Sequence, residues 1–253
     1  VERPGHEGVV LHGVGKDDEF GAGHAALLRR KRGGALDGAA AIVIDALRMT
    51  SVAVTALHNG CAGVLACPGV EEAKAAAVRS EALLGGERNA LLIPGFDFSN
   101  SPLEYTAEKV AGRNLVMSTS NGTKAIAAAS GAKRVLLAAF VNAKAAAEAV
   151  RGEEKTVIIC AGTLGAFTLE DALAAGAIIE RLQKLGASPV LDDMASAARM
   201  LYEAARGDFM AALAATKHFN RLRSLGLEDD LRYCLTEDTL GIVPEKQADG
   251  WFR

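Results

Sequence analysis

The stretch that decides the fold is Ala-Ile-Val-Ile-Asp-Ala-Leu-Arg-Met-Thr-Ser, residues 41–51. Four apolar residues lead into Asp45, and Arg48 and a Thr-Ser pair follow before helical spacing begins. A short apolar run without polar alternation is typical of a strand that is buried on both faces. We therefore predict a buried parallel strand over residues 41–46, with a polar loop at its carboxyl end.

The same pattern recurs along the chain. Further short apolar runs cover residues 63–67, 91–94, 115–118, 134–140 and 156–160. Between the runs, the spacing of apolar residues predicts helices over residues 50–59, 70–84, 122–129, 143–151 and 169–185. This alternation predicts an α/β fold of three layers, in which helices cover both faces of a mostly parallel or mixed sheet.

The rest of the chain gives weaker signals. Residues 194–224 predict one or two further helices, and short extended pieces are expected around residues 233–235 and 241–244. Residues 14–38 are rich in glycine and charge, which predicts a surface insertion with a short basic helix over residues 27–32. No linker interrupts the chain, so we expect a single domain over residues 1–253.

Composition limits the class of protein. A net charge of −3 and a pI near 6.0 argue against a nucleic-acid partner. No run reaches the roughly 18 apolar residues that span a bilayer, and the N-terminus lacks the charge-then-apolar order of a signal peptide. None of the four cysteines forms a C-x-x-C pair. We expect a cytoplasmic protein without a membrane partner, and its many Ala-rich apolar helix faces suggest a homodimer.

Polar side chains follow several of the predicted strands. Ligands of open parallel sheets bind outside the carboxyl ends of the strands. In the first such loop, Asp45 is a candidate Mg²⁺ ligand or base, and Arg48 is a candidate phosphate clamp. The alternative is structural: Asp45 pairs with Arg48, and Thr50 or Ser51 caps the helix.

The second candidate loop is Gly-Gly-Glu-Arg, residues 85–88. Glu87 can hold a metal ion and Arg88 can bind an anion. The alternative is that the two glycines end a helix, an ordinary loop follows, and Pro102 begins a further helix.

The third candidate loop follows the run 115–118 and opens a helix. Hydroxyl groups and backbone N–H groups at a helix start can bind phosphate, although the loop has no Walker A spacing. A plain N-cap needs only one Ser or Thr. The excess of hydroxyl groups favours a substrate-binding role for Ser118, Thr119, Ser120, Asn121, Gly122 and Thr123.

The last candidates follow the strands at 134–140 and 156–160. Asn142 and Gly162 are predicted substrate contacts at these strand ends. Glu170 and Asp171 either reach the site as metal ligands or only cap a helix. Cys160 is interpreted as a buried strand residue. His218 is either an acid or anion contact, or a histidine on the surface of a helix, and the surface position is favoured.

Taken in order, these segments resemble the ComB family, the 2-phosphosulfolactate phosphatases. The resemblance extends over about residues 40–245. It depends on the strand with Asp-x-x-Arg at 45–48, Gly-Gly-Glu-Arg at 85–88, Asn-Ser-Pro at 100–102, the hydroxyl loop 118–123, Cys-Ala-Gly at 160–162 and Leu-Glu-Asp at 169–171. The first forty residues resemble the family poorly.

The resemblance implies Mg²⁺-dependent hydrolysis of 2-phospho-3-sulfolactate to 3-sulfolactate and phosphate, a step of coenzyme M biosynthesis in sulfonate metabolism. Because the substrate carries three acidic groups, the site needs cationic groups and a metal. We assign the metal to Asp45, Glu87 and Asp171, and catalytic roles to Asp45, Arg48, Glu87 and Arg88. Two alternatives remain: a phosphatase of the same fold for another small phosphorylated acid, or a non-catalytic anion-binding module.

Overall fold

The computed structural model describes residues 8–13 and 36–253 of the chain. Its strands are β1 (Gly8–Gly13), β2 (Ala40–Ile44), β3 (Gly63–Ala66), β4 (Leu83–Arg88), β5 (Leu91–Leu92), β6 (Asn114–Ser118), β7 (Arg134–Ala138), β8 (Lys155–Cys160) and β9 (Val190–Leu191). Its α-helices are α1 (Met49–His58), α2 (Val70–Ser80), α3 (Ala107–Val110), α4 (Gly122–Ala128), α5 (Ala143–Val150), α6 (Leu169–Lys184), α7 (Asp193–Ala205), α8 (Phe209–Leu213), α9 (Lys217–Ser224) and α10 (Glu228–Cys234). Strands alternate with helices, which confirms the α/β class.

The strands form two sheets. The larger has the order β7-β2-β8-β1-β9, and all of its pairs are parallel. The smaller has the order β3-β6-β4-β5, in which only β5 runs antiparallel. The prediction of a mostly parallel, mixed arrangement is confirmed, and the structure refines it by dividing the strands between two sheets.

Strand β2 lies at the centre of the core, and all five of its residues are buried. Ile42 and Ile44 pack into a cluster that includes α5 and α6. Ala41 and Val43 face the other way and share a cluster with α1, α4 and strands β3 and β6. Apolar side chains are therefore required on both faces of β2, which explains why the run at 41–44 shows no polar alternation.

Strand β4 was not predicted. We expected a helix to Leu84 and a glycine turn, but α2 ends at Ser80 and residues 83–88 form a strand. The glycines allow close packing: a Cβ on Gly86, where φ is 149°, would lie 2.0 Å from the Ser118 carbonyl oxygen. Glycine is rare in strands, so Gly85 and Gly86 argued against a strand at this position. The same two glycines are what allow β4 to pack closely here.

The C-terminal third also differs from expectation. Residues 193–224 form three helices rather than one or two, and the extended piece expected at 233–235 is the end of α10. Asp, Glu and Asp residues in the first turn of α10 favour helix formation there. Residues 241–244 have no regular secondary structure. The predicted basic helix at 27–32, and the insertion at 14–38 up to residue 35, lie outside the described residues.

Within residues 8–13 and 36–253, no helix has the length and apolar character needed to cross a membrane.

Candidate active site

Asp171 connects two of the predicted loops. Its Oδ1 accepts a hydrogen bond from the Ala46 N–H at 2.9 Å, and its Oδ2 accepts one from the Gly162 N–H at 2.9 Å. The Thr168 hydroxyl donates to the same Oδ2 at 2.9 Å. Asp171 therefore holds the loop after β2 against the loop after β8, as the shared edge of parallel strands predicts.

Glu87 makes a similar connection in the smaller sheet. Its Oε1 accepts from the Ser120 N–H at 2.8 Å, and its Oε2 accepts from the Ala90 N–H at 2.7 Å. The neighbouring Arg88 donates from Nη2 to the Ser118 hydroxyl at 2.9 Å. The Glu-Arg pair thus fixes the loop of residues 118–123, which we call the hydroxyl loop, at the end of β4.

The hydroxyl loop also meets Asp45. Gly122 opens α4 so close to the carboxylate that a Cβ there would lie 2.6 Å from Asp45 Oδ2 and 2.9 Å from Met49 Cβ. Only glycine permits this approach without displacement of Asp45 or Met49. The loops that follow β2, β6 and β8 and the end of β4 therefore lie close together.

Replacement of Gly122 by Ala is expected to displace Asp45 and to lower kcat at least about tenfold, because misplacement of a reacting group by about 1 Å is costly. Steady-state kinetics of phosphate release measure the effect. Gly131→Ala is the matched control, since a Cβ there meets only Leu36 atoms, the nearest at 3.8 Å. Equal activities of the two variants would contradict the assigned position of Asp45.

Asp45 is buried, but one of its oxygens is available. Its Oδ1 accepts a 3.4 Å bond from the Met49 N–H, whereas its Oδ2 makes no hydrogen bond to a described residue. Burial is the main cause that raises the pKa of Asp45 to about 6; the nearby His218 lowers it, and Glu87 and Glu170 raise it further. This carboxylate lacks the partners that a buried charge requires, so it is suited to a cation.

Asp171 shares this environment. Burial, Asp45 and Glu170 raise the pKa of Asp171 to about 7, although its two backbone N–H donors oppose the shift. Clustered carboxylates with raised pKa values are typical of functional sites.

The side chains of the hydroxyl loop mostly stabilise the loop itself. The Thr123 hydroxyl donates to the Thr119 carbonyl at 2.9 Å, and the Asn121 Oδ1 accepts from the Leu164 N–H at 3.1 Å. The N–H groups of Asn121 and Gly122 donate to no described residue. An anion at this loop would therefore meet these backbone N–H groups rather than a row of hydroxyl groups.

Arg48 has a partner that the sequence did not suggest. It is 2% exposed and donates from Nη1 to Oδ2 of Asp230 on α10, so the alternative of an Asp45–Arg48 pair is not formed. The Ser101 hydroxyl donates to the other oxygen, Asp230 Oδ1, at 2.7 Å. Nε and Nη2 of Arg48 donate to no described residue, which leaves them for the predicted anion.

Asn142 has a structural role in this arrangement. Its Oδ1 accepts from the Ala139 N–H at 2.9 Å, and its Nδ2 donates to the carbonyl oxygens of Leu137 and Ile242. These bonds engage the whole amide, so they favour a structural role over the predicted substrate contact. Gly162 likewise serves mainly through its N–H bond to Asp171.

Glu170 and His218 form a pair at the site. Glu170 is 1% exposed, and its Oε1 lies 2.7 Å from Nδ1 of His218. Of the two alternatives for His218, the surface position is not the one found, because its ring packs against the start of α6. The sequence named both residues as candidates but did not indicate that they contact each other.

The carboxylates differ in their suitability for Mg²⁺. Within residues 8–13 and 36–253, no group of three or more His, Cys, Asp and Glu side chains is arranged to hold a metal ion. Both oxygens of Glu87 and of Asp171 accept hydrogen bonds. Oδ2 of Asp45 accepts none from a described residue and is available to a metal ion. Because Mg²⁺ usually takes one or two carboxylates, several waters and substrate phosphate, Asp45 fits it better than Glu87 or Asp171 does.

Comparison with known proteins identifies the family. The model of the family described as 2-phosphosulpholactate phosphatase matches residues 28–249. A protein of Clostridium perfringens (strain SM101), named probable 2-phosphosulfolactate phosphatase, is 46% identical and covers 83% of this chain and 87% of its own length. Proteins of the same name from Clostridium novyi and Caldanaerobacter subterraneus are 45% and 42% identical, each over 81% of this chain and 87% and 86% of their own lengths. The chain belongs to the 2-phosphosulfolactate phosphatase family.

Proposed function

We propose that this chain hydrolyses 2-phospho-3-sulfolactate to 3-sulfolactate and phosphate with the help of Mg²⁺. The observation that carries the proposal is the position of Asp45 Oδ2 beside the start of α4: it belongs to a buried residue and accepts no hydrogen bond from a described residue. The N–H groups of Asn121 and Gly122 lie at the same place and donate to no described residue. This arrangement offers a carboxylate for a cation and donors for the phosphate that the cation would accompany.

Mg²⁺ would be held by Asp45, by waters and by the substrate, and it would stabilise the negative charge on the phosphoryl oxygens. Asp171 and Glu87 would orient this site, because each ties two loops together through its carboxylate oxygens. Arg88, which holds the Ser118 hydroxyl, would add positive charge beside the hydroxyl loop.

The substrate carries a carboxylate and a sulfonate in addition to phosphate, so further cationic groups are required. Nε and Nη2 of Arg48 supply one such group, because only Nη1 is occupied by Asp230. A guanidinium that is fixed on one side binds an oxyanion on the other with little loss of side-chain entropy.

The direct test is phosphate release from 2-phosphosulfolactate, 3-phosphoglycerate and phospholactate, each with Mg²⁺ and with EDTA. We expect Mg²⁺-dependent release that is fastest with the sulfonate substrate. Faster release from another substrate would instead assign the site to that phosphorylated acid. Thermal stabilisation by all three compounds without any phosphate release would indicate a non-catalytic anion-binding module.

A further inference from the structure

The pair of Glu170 and His218 lies at the site but has no role in the proposed binding of Mg²⁺ and substrate. Glu170 is 1% exposed, and its Oε2 is buried without a hydrogen-bond partner among the described residues. A buried carboxylate with a hydrogen bond to only one of its oxygens destabilises the fold unless a nearby cation balances its charge. Its one partner is His218 Nδ1, at 2.7 Å, so the imidazole is the group that the carboxylate holds.

Glu170 holds the imidazole of His218 near Asp171 at the site. Glu170 precedes Asp171 in the first turn of α6, and Asp171 binds the Ala46 N–H next to Asp45. His218 interacts electrostatically with Asp45 and Asp171 as well as with Glu170. Its side chain is 20% exposed, so the ring is enclosed on the side of α6 and still reaches solvent.

The ring has one fixed and one available nitrogen. Because Glu170 accepts at Nδ1, that nitrogen carries a proton, and Nε2 donates to no described residue. Burial alone would lower the pKa of His218, but the hydrogen bond to Glu170 and the negative charges of Glu170, Asp45 and Asp171 outweigh it and raise the pKa, which favours the imidazolium form. This is the arrangement expected of a proton donor: the carboxylate holds Nδ1, and Nε2 remains without a partner among the described residues.

We propose that His218 is the general acid of the phosphatase reaction and that Glu170 is its positioning residue. This inference rests on the proposed phosphatase function. The secondary alkoxide of an α-hydroxy acid is a poor leaving group, and charge develops on its oxygen as the ester bond breaks. A proton supplied at that moment lowers the barrier.

The step balances as follows. The P–O ester bond breaks, its electron pair goes to the alkoxide oxygen, and that oxygen takes the proton from Nε2 to give the free hydroxyl group. A water oxygen forms the new P–O bond, and both of its protons leave with the product as dihydrogen phosphate. The neutral His218 then regains a proton from this product or from solvent.

The test compares two leaving groups in the His218→Ala variant. One substrate is 2-phosphosulfolactate, and the other is its analogue with sulfur in place of the bridging oxygen, since a thiolate leaves without protonation. We expect kcat to fall roughly 10²–10⁴-fold for the oxygen ester and less than about fivefold for the sulfur ester. If wild type does not cleave the sulfur ester, the kinetic isotope effect of ¹⁸O at the bridging position is measured instead, and it should rise in the variant.

The controls separate this proposal from the phosphatase assignment. His58→Ala changes an exposed histidine at the end of α1 and should leave both rates unchanged. Equal losses with both esters, an unchanged isotope effect, or a change confined to KM would overturn the role of His218 while wild type still releases phosphate. No release by wild type would instead overturn the proposed function itself.

Glu170→Gln tests the positioning role. It should lower the rate with the oxygen ester by less than His218→Ala does, and it should remove the low-field NMR signal expected for the Nδ1 proton of His218. Glu180→Gln, a buried glutamate further along α6 with ion pairs to Arg181 and Lys184, is the matched control and should retain that signal. A retained signal in Glu170→Gln would contradict the assigned contact.

Discussion

Asp45→Asn is expected to lower the Mg²⁺-dependent kcat by about 10³-fold, because it removes the carboxylate oxygen that we assign to the metal. Titration calorimetry should show weaker Mg²⁺ binding in the same variant. Asp229→Asn changes an exposed carboxylate on α10 and should match wild type in both measurements. Undiminished Mg²⁺-dependent activity of Asp45→Asn would contradict the assignment.

The same substitution is expected to stabilise the fold in a pH-dependent way. Burial raises the pKa of Asp45 above its value in the unfolded chain, so the carboxyl group is protonated in the folded protein at low pH and costs little there. As pH rises from about 4 to about 6, the unfolded chain loses this proton while the folded protein still holds it, so stability falls over that range and stays at the lower level above it.

In EDTA, Asp45→Asn should therefore raise the melting temperature at pH 8, where the gain corresponds to about 3 kcal/mol, and should leave it nearly unchanged at about pH 3. Differential scanning calorimetry at the two pH values measures this difference. A gain of equal size at both pH values would show that the buried charge is not its cause.

The core and the converging loops were predictable because they follow from local sequence. The unbroken apolar run before Asp45 can be buried only on both faces of a sheet, and the helices on either side follow from their spacing. The carboxyl ends of parallel strands lie at one edge of a sheet, which indicated a site at Asp45 and at the hydroxyl loop, whereas the grouping of Asp45 with Glu87 and Asp171 came from the family resemblance.

The remaining features depend on contacts that local sequence does not encode. The division into two sheets depends on the order in which the strands pair, which no single segment determines. Strand β4 was not predicted because it contains two glycines, which allow it to pack closely against β6. His218 and Asp230, whose partners the sequence did not indicate, lie in the helices that follow the last βα unit. Their partners, Glu170 and Arg48, are 48 and 182 residues away along the chain.

Asp230→Ala is expected to lower the free energy of unfolding by about 3–5 kcal/mol, because it leaves the buried Arg48 guanidinium without its carboxylate. The Ser101 hydroxyl would lose its acceptor as well. Urea denaturation measures the loss. Arg232→Ala on the same helix is the control: its ion pair with Glu228 is exposed, and its removal should cost less than about 0.5 kcal/mol.

A double variant separates the structural from the catalytic contribution of this pair. Replacing Arg48 by Met and Asp230 by Leu removes both buried charges together, and we expect it to recover most of the lost stability because similarly sized apolar side chains pack in their place. Activity should not recover, since the guanidinium nitrogens that face away from Asp230 are the ones we assign to the substrate anion. A stable double variant with wild-type kcat and KM would reduce Arg48 to a structural tie between α10 and the loop after β2.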